Sequence, residues 1–239
     1  MKRLIVAIQF LTRLPTPRVA TSDDDFVGSM CWFPAVGLIV GAIVAGAGWA
    51  GAWIDPWVGA LAALLAWVGV TGALHLDGLG DIADASGAAH KDRARMIAVM
   101  SDPHVGSFGV VTIALQIAAK LVLLHGAVAG RMWVAIVLIP FAARIGPLLW
   151  TRFLPSLHAG LAARFAHSVW PMHLAIWAAA LLVGCWFAPG LVAAPLLMLA
   201  WATWLQRRIG GISGDGHGAG IELVESGLLF ATLIAARIA

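Results

Sequence analysis

The sequence has no tyrosine, only two cysteines and little charge: of 239 residues, 11% are Asp, Glu, Lys or Arg. A soluble domain carries roughly 25% charged residues and about 45–50% apolar ones. Here the apolar share is 61% and the mean hydropathy is +0.92, which excludes an ordinary soluble globule. Cys31 and Cys185 stand in apolar runs without ligand spacing, so they read as packing residues rather than a disulfide or a metal pair. With tyrosine absent, an interfacial aromatic belt falls to the 12 tryptophans. Trp32, Trp53, Trp57, Trp133, Trp150 and Trp170 stand near the ends of apolar runs, as such a belt requires.

What the chain does have is apolar length. Seven runs approach the ~20 residues that cross ~30 Å of hydrocarbon: about 29–53, 57–75, 106–127, 132–150, 170–188, 190–206 and 222–238. The expectation is an all-α, polytopic integral membrane helical bundle. It has about seven transmembrane helices in a single domain, residues 1–239. The opening MKRLIVAIQFLTRLPTP is broken by Gln9 and Arg13 and shows no small-residue cleavage site before Pro15. It reads as an amphipathic helix lying at the interface rather than a signal peptide.

Basic residues orient the bundle. With the N-terminus in the cytoplasm, inner segments hold Lys2, Arg3, Arg13, Arg18, Lys91, Arg93, Arg95, Arg152, Arg164, Arg207 and Arg208, whereas outer ones hold only Arg131 and Arg237. The acids divide the same way, with Asp55 alone outside. Polar chemistry gathered at one face suits an enzyme fed from the cytoplasm better than a channel, which spreads polar groups through the whole depth.

The densest chemistry lies in LHLDGLGDIADASGA, residues 74–88. If this stretch continues the second helix, Asp77, Asp81 and Asp84 have i, i+4, i+7 spacing and share one stripe, within about 60° of one another. Three carboxylates on one stripe repel unless a cation joins them. All-oxygen donors point to Mg²⁺ or Mn²⁺ rather than zinc, and Mg²⁺ keeps positions open for substrate phosphates. The bland alternative is a solvated helix end. Gly78 and Gly80 weaken the helix by about 1 kcal/mol each but let a bulky ligand approach the backbone. Asp84, furthest from the membrane, is the first choice of general base and also a candidate ligand; His104 is the second choice of base.

Downstream, Lys91, Arg93 and Arg95 suit phosphate oxygens, or are ordinary inner-side charge. Asp102 is a further metal ligand or a helix N-cap. GGISGDGHGAG (210–220) reads as a glycine-rich loop whose backbone N–H groups, with Gly214, can cradle phosphate while Asp215 adds a ligand. It lacks the Lys-Ser/Thr of a P-loop, and its alternative is a connector. Glu222 and Glu225 are expected to open the last helix. Arg144, inside the fourth span, needs an acidic partner or a substrate phosphate. Lys120 reads as a structural pair, and His75, about 200° around from Asp77, as a packing histidine.

QFLTRLP (9–15), FPAVGLIVG (33–41), TGALHLDGLGDIADASGA (71–88), RMIAVMSDPHVGSFGVV (95–111) and GGISGDGHGAGIELVE (210–225) occur in this order. Together they resemble the cobalamin synthase family, the adenosylcobinamide-GDP ribazoletransferases, over essentially the whole chain. Family members usually read I-M-K-D-S-R-I-G where this chain has Val99 to Gly106, so Ser101 and His104 replace two cations. Ser213-Gly214-Asp215 stands where T-G-D is usual. The aspartate pattern is similar to that of the CDP-alcohol phosphotransferases too, but Asp81 follows directly where those enzymes have Ala-Arg.

The resemblance implies a Mg²⁺-dependent transferase of the bacterial inner membrane, with its active site facing the cytoplasm. It would join adenosylcobinamide-GDP to α-ribazole or its 5'-phosphate and release GMP. The lipid bilayer is its setting, no nucleic acid is a partner, and a homo-oligomer stays open. A CDP-alcohol lipid phosphotransferase and a carboxylate-gated cation transporter are the competing readings.

Overall fold

The computed structural model describes residues 1–88, 93–100, 104–157, 161–165 and 168–238. They form thirteen α-helices: α1 (Lys2–Leu11), α2 (Asp23–Val27), α3 (Phe33–Ala52), α4 (Pro56–Thr71), α5 (Leu74–Ala88), α6 (Arg93–Met100), α7 (Ser107–Ala129), α8 (Trp133–Ala143), α9 (Gly146–Phe153), α10 (Leu161–Phe165), α11 (Pro171–Phe187), α12 (Ala194–Arg208) and α13 (Gly214–Ile238). Two 3₁₀ turns, Gly28–Trp32 and Pro189–Ala193, lead into α3 and α12. Among the described residues there is no strand beyond one isolated bridge, Ser156 to Ile212, and the all-α membrane reading holds.

Five helical segments are long and apolar enough to cross a membrane: Asp23–Ala52, Ser107–Ala129, Trp133–Phe153, Pro189–Arg208 and Gly214–Ile238. The other two expected spans come out shorter. α11 has only 17 residues, and α4 stops at Thr71. Asp55 caps the start of α4 by accepting from the Trp57 N–H at 2.7 Å. At its end Gly72 (φ +62°) and Ala73 (φ +59°) are both left-handed, and α5 leaves at 84° to α4. α5 is therefore a separate helix, not the continuation of the second span; the carboxylate stripe survives because it lies wholly inside α5.

The outer surface carries Leu65, Val110, Leu115, Leu182, Trp186 and Leu196, all exposed, while Lys120, Arg144, Glu222 and Glu225 are buried inside the bundle. That inversion is what lipid imposes. α13 runs through the middle and packs against α5, α7, α8 and α9. α1 lays Val6, Ala7 and Leu11 against the protein's own core, where Phe10 stacks on Phe33 with centroids 5.8 Å apart.

Candidate active site

α5 and α13 cross closely because glycine stands at the crossing. A Cβ on Gly78 would lie 2.9 Å from the Asp215 backbone, and one on Gly218 would lie 3.2 Å from the His75 Cα. This also explains the segment read as a glycine-rich loop. From Gly214 onward it is the first turns of α13, buried from Gly216 to Glu222. Small residues are selected there by helix packing, despite their poor helix propensity. Glu222 and Glu225 accordingly sit in the body of the helix, not at its start.

Asp77 is exposed, Asp81 half-buried and Asp84 buried. The charges that bear on Asp81 among the described residues are all of its own sign: Asp215, then Asp77 and Asp84. Asp215 thus joins the α5 stripe from the facing helix. Asp84 does something else. Its two carboxylate oxygens accept the N–H groups of Gly106 (2.7 Å) and Gly109 (2.9 Å), at the start of α7, whose own N-cap Gly106 offers no side-chain cap. Asp84 thus acts as an inter-helix N-cap, and its expected roles as base and as metal ligand belong to the proposal below.

Between the first turns of α5 and α13 lies a cavity of about 140 Å³. Phe10, Met30, Phe33, Phe165, Pro147 and Ile221 give it an apolar wall. Asp77, Gly214 and Asp215 open on it, as do His75 and His217. Sequence reasoning missed the histidines as site residues. The signal was present as His75-x-Asp77 on α5 and Asp215-x-His217 on α13, mirror patterns that meet only where the helices cross.

Arg144 does not reach this cluster. It is fully buried and donates from Nη1 to Glu225 Oε1 at 2.9 Å and to the Pro140 carbonyl at 3.1 Å. Lys120 Nζ completes the network, with Glu225 at 2.6 Å and Glu222 at 2.8 Å. Two cations face two anions inside the bundle, so Arg144 stands in a buried ion pair away from the cavity. Lys91 and Asp102 lie outside the described residues, as does the side chain of Arg93. Arg95 on α6 and His104 just ahead of α7 are both exposed.

Among the described residues no three His, Cys, Asp or Glu side chains are grouped so as to hold a metal by themselves. The donors that do approach one another, Asp77, Asp81 and Asp215, fit a hard cation in kind: all oxygen and all of one sign. Mg²⁺ is usually held by one or two carboxylates plus substrate phosphates rather than an all-protein cage.

A family model described as cobalamin-5-phosphate synthase matches residues 3–233. The chain belongs to the cobalamin-5-phosphate synthase family. Relatives named adenosylcobinamide-GDP ribazoletransferase agree. The one from Novosphingobium aromaticivorans is 62% identical over 98% of this chain and 97% of its own length. That from Laribacter hongkongensis is 52% identical over 100% and 99%, and that from Thiobacillus denitrificans 47% over 96% and 94%. No solved structure matches. As a cobalamin-5-phosphate synthase family member the chain is an enzyme, a transferase of cobalamin synthesis built on membrane-type helices.

Proposed function

We propose that this enzyme joins α-ribazole, or its 5'-phosphate, to adenosylcobinamide-GDP and releases GMP, with Mg²⁺ required. The observation that carries the reading is the convergence of Asp77 and Asp81 on α5 with Asp215 on α13 beside a cavity of aromatic character. The relatives' names supply the substrates.

In the reaction a ribose hydroxyl oxygen of the acceptor bonds to the phosphorus joined to cobinamide, and the bond from that phosphorus to the bridging oxygen of GMP breaks. Such a transfer needs in-line placement and charge neutralisation more than covalent catalysis. Asp77, Asp81 and Asp215 would hold Mg²⁺, which when bound offsets the charge of the pyrophosphate and of departing GMP. Asp84 fixes the start of α7 against α5. With Asp84 so engaged, His104, two residues before Gly106, is the proton acceptor for the attacking hydroxyl. Arg95, on α6, is a phosphate contact under this reading, as are Lys91 and Arg93, with Asp102 a further metal ligand.

The N-terminus and this site face the cytoplasm of the bacterial inner membrane. Purified protein supplied with adenosylcobinamide-GDP, α-ribazole and Mg²⁺ is expected to release GMP, and a chelator to stop it. Full turnover by both Asp77→Asn and Asp81→Asn would overturn the site. The transporter reading draws no support from the buried charges, because Lys120 and Arg144 are already matched by Glu222 and Glu225.

A further inference from the structure

A groove of about 460 Å³ runs along α12, where α5 and α13 face it. Leu79 and Ile82 of α5, Leu197, Trp201 and Trp204 of α12 and Leu223 of α13 form its walls, and no charged residue lines it. Trp201 is fixed in place. Its Nε1–H donates to the Gly216 carbonyl at 2.9 Å, and Trp204 stacks on it with ring centroids 4.9 Å apart. Trp204 is 38% exposed and Leu223 39%, so the groove opens on the surface. Toward the end of α12, Ala200 and Trp204 carry it into a second hollow of about 390 Å³, completed by Thr203, Arg207 and Arg208. The transfer chemistry uses neither.

Size, depth and charge narrow the occupant. A cavity of about 150 Å³ takes the six carbons of benzene, so by that measure 460 Å³ takes roughly 18 carbons, one acyl chain. Leu197 precedes Arg208 by about 16 Å along the helix, at 1.5 Å per residue. That is close to half of the ~30 Å hydrocarbon core, one leaflet. Arg207 and Arg208 are exposed and form no ion pair among the described residues. Arg208 donates from Nη2 to the Ser86 carbonyl at 3.2 Å, tying the end of α12 to the end of α5. Guanidinium forks suit phosphate oxygens. No acid lines either hollow, so the ammonium of a zwitterionic headgroup would meet nothing there, whereas an anionic headgroup brings the sign that the site lacks. Cations also complement the end of a helix dipole, but that accounts for the arginines and not for the groove beside them.

We propose that the groove and the hollow together hold one anionic phospholipid. An acyl chain lies along Leu79, Ile82, Leu197 and Trp201, and the headgroup phosphate sits on Arg207 and Arg208. Trp204 stands between them, at the level where tryptophan favours the interface. The second chain stays in the bilayer. Basic pockets between membrane helices take anionic headgroups in this way. The lipid bridges α12 and α5, the helix that carries Asp77 and Asp81. The inference concerns the membrane rather than the substrates, and it holds whichever acceptor the enzyme uses.

The test uses the full-length protein in non-ionic detergent, titrated with phosphatidylglycerol or with phosphatidylcholine of the same chains. Native mass spectrometry counts the lipid retained, and the midpoint of thermal unfolding reads its effect. A single phosphatidylglycerol is expected to stay bound and to raise the midpoint, as a ligand of the folded state does. Phosphatidylcholine is expected to do neither at the same concentration. The double variant Arg207→Gln/Arg208→Gln is expected to weaken phosphatidylglycerol binding about twentyfold, roughly fivefold for each arginine, and to bring the two lipids level. Ala200→Trp fills the groove from an exposed position and is expected to abolish retention while the lipid-free midpoint stays unchanged. Equal retention of both lipids by the unaltered protein, or phosphatidylglycerol held as tightly by both variants, overturns the assignment. Displacement of the lipid by adenosylcobinamide-GDP overturns it as well, and would mark the groove as a substrate site.

Discussion

Asp77, Asp81 and Asp84 look alike in the sequence and behave differently in the fold. Spacing alone put them on one stripe, and that stripe is real. What spacing could not carry is that α7 begins beside the last of them, with two backbone N–H groups pointing at its carboxylate. Asp84→Ala is therefore expected to cost about 2 kcal/mol of stability, the range for losing charge-assisted hydrogen bonds at a helix start. Its midpoint of thermal unfolding should fall accordingly. Asp81→Asn, half-buried among like charges, is expected to keep or raise that midpoint while abolishing GMP release. If both variants unfold alike, the division of labour within the stripe is wrong. Arg144 teaches the same lesson. A lone arginine in a span announces that it has a partner, but Glu225, 81 residues away, is found only by folding the chain.

At the scale of elements, the run of apolar residues from 57 to 75 gave no warning of a bend. Gly72 is an ordinary left-handed helix stop, but Ala73 beside it adopts φ +59° at a cost that alanine normally avoids, about 1–2 kcal/mol. Ala73→Gly is expected to raise stability by about 1 kcal/mol, read as a higher unfolding midpoint, with activity retained; a lower midpoint would show that the left-handed turn is not maintained. The glycine-rich stretch misled in the opposite direction. Composition marks 210–220 as a loop, whereas close packing of α13 on α5 makes glycine the residue that the helix needs. Gly78→Val is expected to push α13 away from α5 and abolish turnover while the protein still inserts in membranes, checked by activity beside membrane fractionation.

For the whole molecule, membrane character and family were legible from composition and motif order, because lipid and substrate chemistry constrain many residues at once. The buried network of Lys120, Arg144, Glu222 and Glu225 was only half legible: each charge was visible, their mutual closure was not. Removing one member leaves its partner buried and uncompensated, which costs roughly 3–5 kcal/mol. Glu225→Gln, facing both cations, is expected to lower the unfolding midpoint sharply. Adding Lys120→Met to it is expected to recover part of the loss rather than deepen it.

The helix that leaves α4 at 84° serves two sides. Asp77 and Asp81 face the crossing with α13. Leu79, Ile82, Ala83 and Ser86 line a separate apolar groove of about 460 Å³ with Trp201 and Trp204. Between them Gly78 admits the Asp215 backbone, Gly80 admits Ile113, Asp84 caps α7 and Ala85 is fully buried. Ten consecutive positions are thus spoken for, with no idle face. A one-sided helix tolerates change every third or fourth residue; here a saturation scan of 77–86 scored by cobalamin-dependent growth is expected to show no such rhythm. The segment has no neutral positions through which to drift.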